Sequence, residues 1–224
     1  MIKLPDGIGT YQEYSLHADL KDYYASEQGK KEVELENFII DVVNDTQLIE
    51  IQTKNFSQIR EKLLSLLKLG YSVKLVHPIY EEKVFRTKNG DKESLRKSPV
   101  KDNLLAIFNE LVYIPELFFY ENFSFEVVFT KIEIVRKKIK ANKYRNIDKK
   151  LIETLRIMQF EKPEDFLFII PYELQHRLTT KNFMASLGIK YPLASKVIYF
   201  LAKTKMLRTI QKDGNLKIYA VDTR

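Results

Sequence analysis

The sequence predicts an α/β unit built on a small mixed sheet, followed by a shorter α+β unit at the C-terminal end. Three observations lead there. Residues 10–77 read helix, hairpin, helix, strand, and the hairpin strands are apolar on both faces, which requires cover above and below as in an α/β sheet. Residues 180–221 read helix, turn, helix, hairpin. Charge divides along the chain as well: residues 1–78 hold 9 Lys/Arg against 12 Asp/Glu, a balance of −3, and residues 79–224 hold 28 against 18, a balance of +10. The second part is the one suited to a polyanion, of which nucleic acid is the commonest.

From Thr10 to about Gln28 the spacing predicts a helix with Tyr11, Tyr14, Ala18, Tyr23 and Ala25 on its apolar side, Thr10 as its cap and Gly29 as its stop. Strands follow near 31–36, 37–43 and 47–54. FSQIREKLLSLLKLG, residues 56–70, is an amphipathic helix with Phe56, Ile59, Leu63, Leu66 and Leu67 at helical spacing and Gly70 at its end. YSVKLVHPI is a strand expected to end at Pro78, made a parallel neighbour of the 47–54 strand by the intervening helix.

KVFRTKNGDKESLRKSPVK carries an Asn89-Gly90 turn signal and reads as a hairpin studded with Lys83, Arg86, Lys88, Lys92, Arg96, Lys97 and Lys101. Arg96 and Lys97, ahead of a proline in SLRKSP, are expected in a loop. A helical stretch near 102–112 and a strand near 123–135 complete the first domain, placed at 1–136. RKKIKANKYRNIDKK, residues 136–150, has no strong period and reads as a basic bridge; with a helix from about 147 to 160 it makes a linker over 137–162. The last domain, 163–224, begins with a helix near 163–170. Thr180 caps a short helix to Leu187, Gly188 makes the turn, a second helix runs from Pro192 to about Lys205, and MLRTI and LKIYAV flank the turn KDGN.

Composition narrows the classes. At 224 residues, 45% hydrophobic and 30% charged, the chain can bury a substantial core. With no cysteine, structural disulfides and thiolate metal sites are excluded, and His17, His77 and His176 lack zinc-ligand spacing. The first twenty residues lack the apolar run of a signal peptide and no stretch approaches a membrane span, so a cytoplasmic protein without membrane contact is expected.

The stretch DVVNDTQLIEIQTKN, residues 41–55, carries the candidate chemistry. A two-residue loop at Asp45 and Thr46 pairs Asn44 with Gln47 and sets Asp41 opposite Glu50. Like charges directly opposed are destabilising, so the pair calls for a compensating cation or a different register.

Residues 9–77 resemble the PD-(D/E)XK nuclease superfamily: a helix bearing a glutamate, here Glu13, a hairpin with Asp41 on one strand and Glu50-Ile51-Gln52 on the next, then a helix and a strand. The resemblance implies a restriction-endonuclease-like α/β core in which Asp41 and Glu50, with Glu13 as a further ligand, hold Mg²⁺ or Mn²⁺ for phosphodiester hydrolysis. Such a metal lowers the pKa of a bound water and neutralises charge on the phosphate. Gln52 departs from the pattern, standing where a lysine is usual; a glutamine amide positions water but is no base. Lys54, one pleat pair along the same strand, is a candidate to reach back, and His17 lies one turn after Glu13 with Lys21 a turn further. Arg60 and Lys62 read as a solvated helix face.

Residues 163–221 resemble winged-helix DNA-binding domains. The resemblance implies that the second helix enters the major groove, presenting Lys190, Ser195, Lys196, Tyr199 and Lys203 with Val197, Ile198 and Leu201 packed inward, and that the wing offers Lys212, Asn215 and Lys217. The two together imply a metal-dependent DNA endonuclease targeted to double-stranded DNA, with a homodimer called for by double-strand cleavage. The alternative is a catalytically inactive DNA-binding regulator or a protein-interaction adaptor.

Overall fold

Local chemistry sets the ends of the first elements. In the computed structural model, which describes residues 15–25, 28–90, 92–141, 143–214 and 216–222, helix α1 (Ser15–Ala25) runs into Gly29. A Cβ at Gly29 would stand 2.2 Å from the Ala25 carbonyl oxygen, so only glycine fits this turn from helix to strand. Strands β1 (Lys30–Leu35), β2 (Phe38–Asn44) and β3 (Gln47–Ile51) form an antiparallel meander. The β2–β3 loop is Asp45–Thr46, as the sequence predicts, with Asn44 facing Gln47 and Asp45 at φ 47°. Helix α2 (Phe56–Lys68) buries Phe56, Leu63, Leu66 and Leu67 and returns the chain so that β4 runs parallel to β3.

Strand β4 (Ser72–Asn89) continues straight through Pro78, where the sequence reading ended it. Pro78 keeps its place opposite Val128, and a register shift follows at Tyr80/Glu82, so the lost amide donor is absorbed where the ladder is already irregular. Strand β5 (Lys92–Lys97) folds back on β4 across the expected Asn89-Gly90 turn, which puts Arg96 and Lys97 on a strand rather than in a loop. The helical stretch near 102–112 is a 3₁₀ turn (Leu104–Ile107) running into the short helix α3 (Phe108–Leu111).

Strands β6 (Phe123–Lys140) and β7 (Lys143–Phe160) pair antiparallel over their length. This corrects the middle of the chain. The boundary expected at residue 136 falls inside β6, and residues 137–162, expected as a linker and a connecting helix, hold the end of β6 and the whole of β7. The full sheet has seven strands in the order β1-β2-β3-β4-β6-β7, with β5 taking over the edge of β4 where β3 stops.

Two apolar layers flank the sheet. On one side α1 buries Leu16 and Leu20 against Val42, Ile49, Ile51, Val76, Val128 and Ile132. On the other, α2 covers Ile40, Leu48, Leu75 and Phe125, and the same core runs on into the C-terminal elements. There, after a 3₁₀ segment (Pro163–Ile169), come α4 (Thr180–Leu187), α5 (Tyr191–Lys203), and a hairpin of β8 (Leu207–Asp213) and β9 (Leu216–Val221). Gly188, at φ 62°, closes α4, and the cap is Thr179, one residue before the expected Thr180. Phe160 of β7 stacks on Phe166 at 4.4 Å between centroids, and Phe200 of α5 meets Phe166 at 5.0 Å and Phe118 at 5.4 Å. Sheet and C-terminal helices therefore share one core, each buried phenylalanine contributing about 1.5–3 kcal/mol of transfer free energy. Among the described residues no helix is long and apolar enough to cross a membrane.

Candidate functional site

The β2–β3 hairpin brings Asp41 and Glu50 together at the point where its backbone ladder stops. The register that pairs Asn44 with Gln47 and Val42 with Ile49 points Asp41 at Glu50, but here side chains replace the ladder bonds. The Ile51 amide donates to Asp41 Oδ2 at 2.9 Å, and the Asp41 amide donates to Glu50 Oε1 at 3.3 Å.

The two carboxylates then turn to different helices. Asp41 faces α1: Lys21 Nζ lies 3.3 Å from Oδ1 and His17 Nε2 lies 3.3 Å from Oδ2. His17 Nε2 also donates to the Ile51 carbonyl at 2.9 Å. Lys21, itself buried, reaches Glu32 at 3.1 Å as well. Glu50, only 5% exposed, faces α2 and is paired with Lys62, whose ammonium also donates to the Ile39 carbonyl. The opposed like charges of the sequence reading thus find separate lysines rather than one shared cation.

The electrostatics follow from that partition. Burial pushes the Asp41 carboxyl up, but the hydrogen bonds from His17 and the Ile51 amide and the charges of His17 and Lys21 outweigh it, and the group sits below its ordinary value. Glu50 is held above its ordinary value, first by burial and also by the Asp41 charge, with Lys62 only partly offsetting them.

Gln52 and Lys54 stand apart from this pair. Strand β3 ends at Ile51, so neither continues its face. The Gln52 side-chain amide donates to the Lys54 carbonyl at 2.7 Å, closing a local turn, while its backbone is tied to Val76 and His77 of β4. Lys54 is exposed and close enough to Lys149 of β7 that, after burial, their repulsion helps hold Lys149 below the ordinary lysine value. Glu13 lies outside the described residues. Among the described residues no group of three or more His, Asp or Glu side chains is gathered to hold a metal ion, and both carboxylates are already ion-paired, so as they stand these residues do not fit a divalent cation.

At the other candidate surface, α5 buries Val197, Ile198 and Leu201 and turns Lys190, Tyr199 and Lys203 outward, with the Lys203 ammonium 5.6 Å from the Tyr199 ring centroid. Between α5 and β9 lies an open groove of about 640 Å³, bordered by Tyr191, Tyr199 and Lys203 on one side and Lys217 on the other, with Lys181 of α4 at its end. Lys212 is exposed on β8, opposite Lys217, and Asn215 lies outside the described residues. Lys196 departs from this set: its ammonium donates to Asn109 Oδ1 of α3 at 2.9 Å and faces the sheet domain. On β5, Lys97 is paired with Glu82 at 3.1 Å, and Arg96 is exposed. Lys62, read from the sequence as a solvated helix position, is the functional neighbour that sequence reasoning missed; only the twelve-residue return of α2 over β3 brings it to Glu50.

Residues 14–161 match the family described as Domain of unknown function (DUF8091), and the chain belongs to that family. The match ends where β7 gives way to the C-terminal elements. An uncharacterized protein of Treponema pallidum (strain Nichols) is 30% identical over 161 residues, 68% of this chain. The aligned part spans 64% of that relative's length. No solved structure matches the chain.

Proposed function

We propose that this protein binds double-stranded nucleic acid through its C-terminal elements, as a nuclease-like, cytoplasmic DNA-binding protein whose Asp41–Glu50 pair is charge-balanced from within. The observation that supports binding is the α5–β9 groove, where Lys181, Lys203 and Lys217 make no ion pair among the described residues and stand beside Tyr191 and Tyr199, with exposed Lys190 next in the chain to Tyr191. Unpaired cations beside exposed aromatic rings suit phosphate and base-edge contact, and a winged-helix arrangement presents such a helix to the major groove.

The test is fluorescence anisotropy with a mixed-sequence duplex from about 50 to 200 mM salt, a range over which 6–10 phosphate contacts weaken binding roughly 10³–10⁵-fold. Binding that falls log-linearly with salt is the expected result. A wild-type protein that binds no nucleic acid at 50 mM salt overturns the reading and leaves a protein-interaction role.

A second reading, hydrolysis at the carboxylate pair, would require Mg²⁺ or Mn²⁺ to displace Lys21 and Lys62, because the pair as it stands does not fit a cation; the observation on its side is that the Asp41 amide donates to Glu50 Oε1 at 3.3 Å, which brings the two carboxylates to one point. It is tested by incubating linear, supercoiled and branched DNA with Mg²⁺, Mn²⁺ or EDTA. Cleavage that needs metal and vanishes in both Asp41→Ala and Glu50→Ala supports it, and intact substrate with binding retained removes it. Sedimentation on DNA tests the homodimer that double-strand cleavage would call for.

A further inference from the structure

The chain's excess positive charge is gathered at one end of the sheet. Residues 131–150 hold nine Lys/Arg against two Asp/Glu, a balance of +7 equal to that of the whole chain. The fold turns this stretch into the far end of β6 and the start of β7. Strands of 18 residues extend about 60 Å, and the apolar core stops at Ile134 and Val135. Beyond it Lys137, Lys138, Lys140, Lys143 and Arg145 are all exposed, and none makes an ion pair among the described residues. The ladder sets Lys137 opposite Arg145 and Lys140 opposite Lys143, cross-strand pairs that repel.

Elsewhere on the same arm the carboxylates are held in ion pairs. Glu133 is bound by Arg86 at 2.8 Å, Glu93 by Arg86 at 3.1 Å, and Glu82 by Lys97 at 3.1 Å. The tip is also stiffened from within. The Arg136 guanidinium lies 4.1 Å from the ring centroids of both Phe85 and Tyr144, and its Nε donates to Thr87 Oγ1 at 2.9 Å. An element braced at its base and carrying five cations that make no ion pair among the described residues is organised for an external polyanion before any arrives.

Its shape selects among polyanions. Lys137 is the last residue of β6 paired with β4, so past it the hairpin stands as a two-stranded ribbon three residues long, about 10 Å. The major groove of B-form DNA is about 12 Å wide and 8.5 Å deep and admits such a ribbon. Lys137, at the ribbon's base, and Lys138, its first residue, are consecutive on their strand and point to opposite faces, so both faces carry charge where the ribbon begins. A membrane surface engages one face; groove walls engage both. The major groove of duplex RNA is too narrow to enter.

We infer that the tip of the β6–β7 hairpin is a second DNA-binding element, which enters the major groove of a duplex and holds its phosphates with Lys137, Lys138, Lys140, Lys143 and Arg145. The inference rests on the nucleic-acid reading proposed above. The full-length chain is compared with a variant in which all five residues are serine, with a smaller variant, Lys140→Ser with Lys143→Ser, and with a groove variant, Lys181→Ser, Lys203→Ser, Lys217→Ser. The readouts are anisotropy on duplex DNA, duplex RNA, DNA with bulky pyrimidine 5-substituents that fill the major groove, and phosphatidylserine vesicles.

The five-site variant is expected to keep its thermal midpoint, to lose about 4 from the salt slope, and to bind duplex DNA at least 100-fold more weakly at about 0.1 M salt, with the two-site variant intermediate. The filled major groove weakens wild-type binding. If the five-site variant binds as tightly and with the same slope as wild type while the groove variant loses binding, the arm is overturned and the C-terminal reading stands. Equal affinity for duplex RNA overturns major-groove entry. If wild type binds vesicles and no nucleic acid, both readings fall.

Discussion

At the Asp41–Glu50 pair each carboxylate has a lysine from its own helix within reach, whereas at the β6–β7 tip five cations have no carboxylate among the described residues. The first arrangement is closed. Buried charge is expensive, and Lys21 and Lys62, both largely covered, answer it inside the fold. The second is open: water screens the tip's charges, and a partner can still use them. Compensation, more than the number of charges, therefore separates the part of this molecule that holds itself together from the part available for binding.

The largest test of that contrast is Lys62→Met. It strands Glu50 as an unpaired buried charge and should lower unfolding free energy in urea by about 3–5 kcal/mol. Adding Glu50→Gln should recover most of the loss. A single variant as stable as wild type would break the comparison.

Next in size is the pH dependence. Asp41, held below its ordinary 3.8, contributes stability that is present above that value and lost as pH falls through the folded value. Glu50, held above its ordinary 4.5, acts in the opposite sense: its contribution is full below 4.5 and declines as pH rises through the folded value. Urea midpoints across pH 3–8 should therefore flatten on the acid side in Asp41→Asn and on the side above 4.5 in Glu50→Gln. The smallest effect is expected at Gln52→Ala, within about 0.5 kcal/mol in stability and without change in DNA affinity, since the amide serves only a local turn. A large loss of binding there would move Gln52 back into the site.

The same contrast explains what could be read from the sequence. The β2–β3 turn, α2, the Gly188 turn and the β8–β9 hairpin carry strong local signals, and they stand where those signals put them. Residues 147–160 misled because Ile147, Leu151, Leu155 and Met158 fall at helical spacing, while pairing along β6 holds them as a strand. Residues 136–146 gave no period because both faces of the tip meet solvent, which leaves no apolar face to alternate with. Asp41 and Glu50 could be chosen as a pair from the sequence, yet the lysine that answers Glu50 could not. The choice between a shared cation and two separate ones is made by α1 and α2 on opposite faces of the sheet.

The parallel partnership of β4 with β6 bears on how the chain reaches this state. It joins Val73 to Phe123, about fifty residues apart, and neither strand completes the sheet without the other. Closing so long a loop must precede the contacts that reward it, which makes folding slow for the chain's size. During synthesis α1 through α2 can assemble early, but the central strand keeps an open edge until residue 123 and beyond has emerged. Phe166 and Phe200 seal the end of the core, so the central sheet is not fully covered until the C-terminal elements have been made.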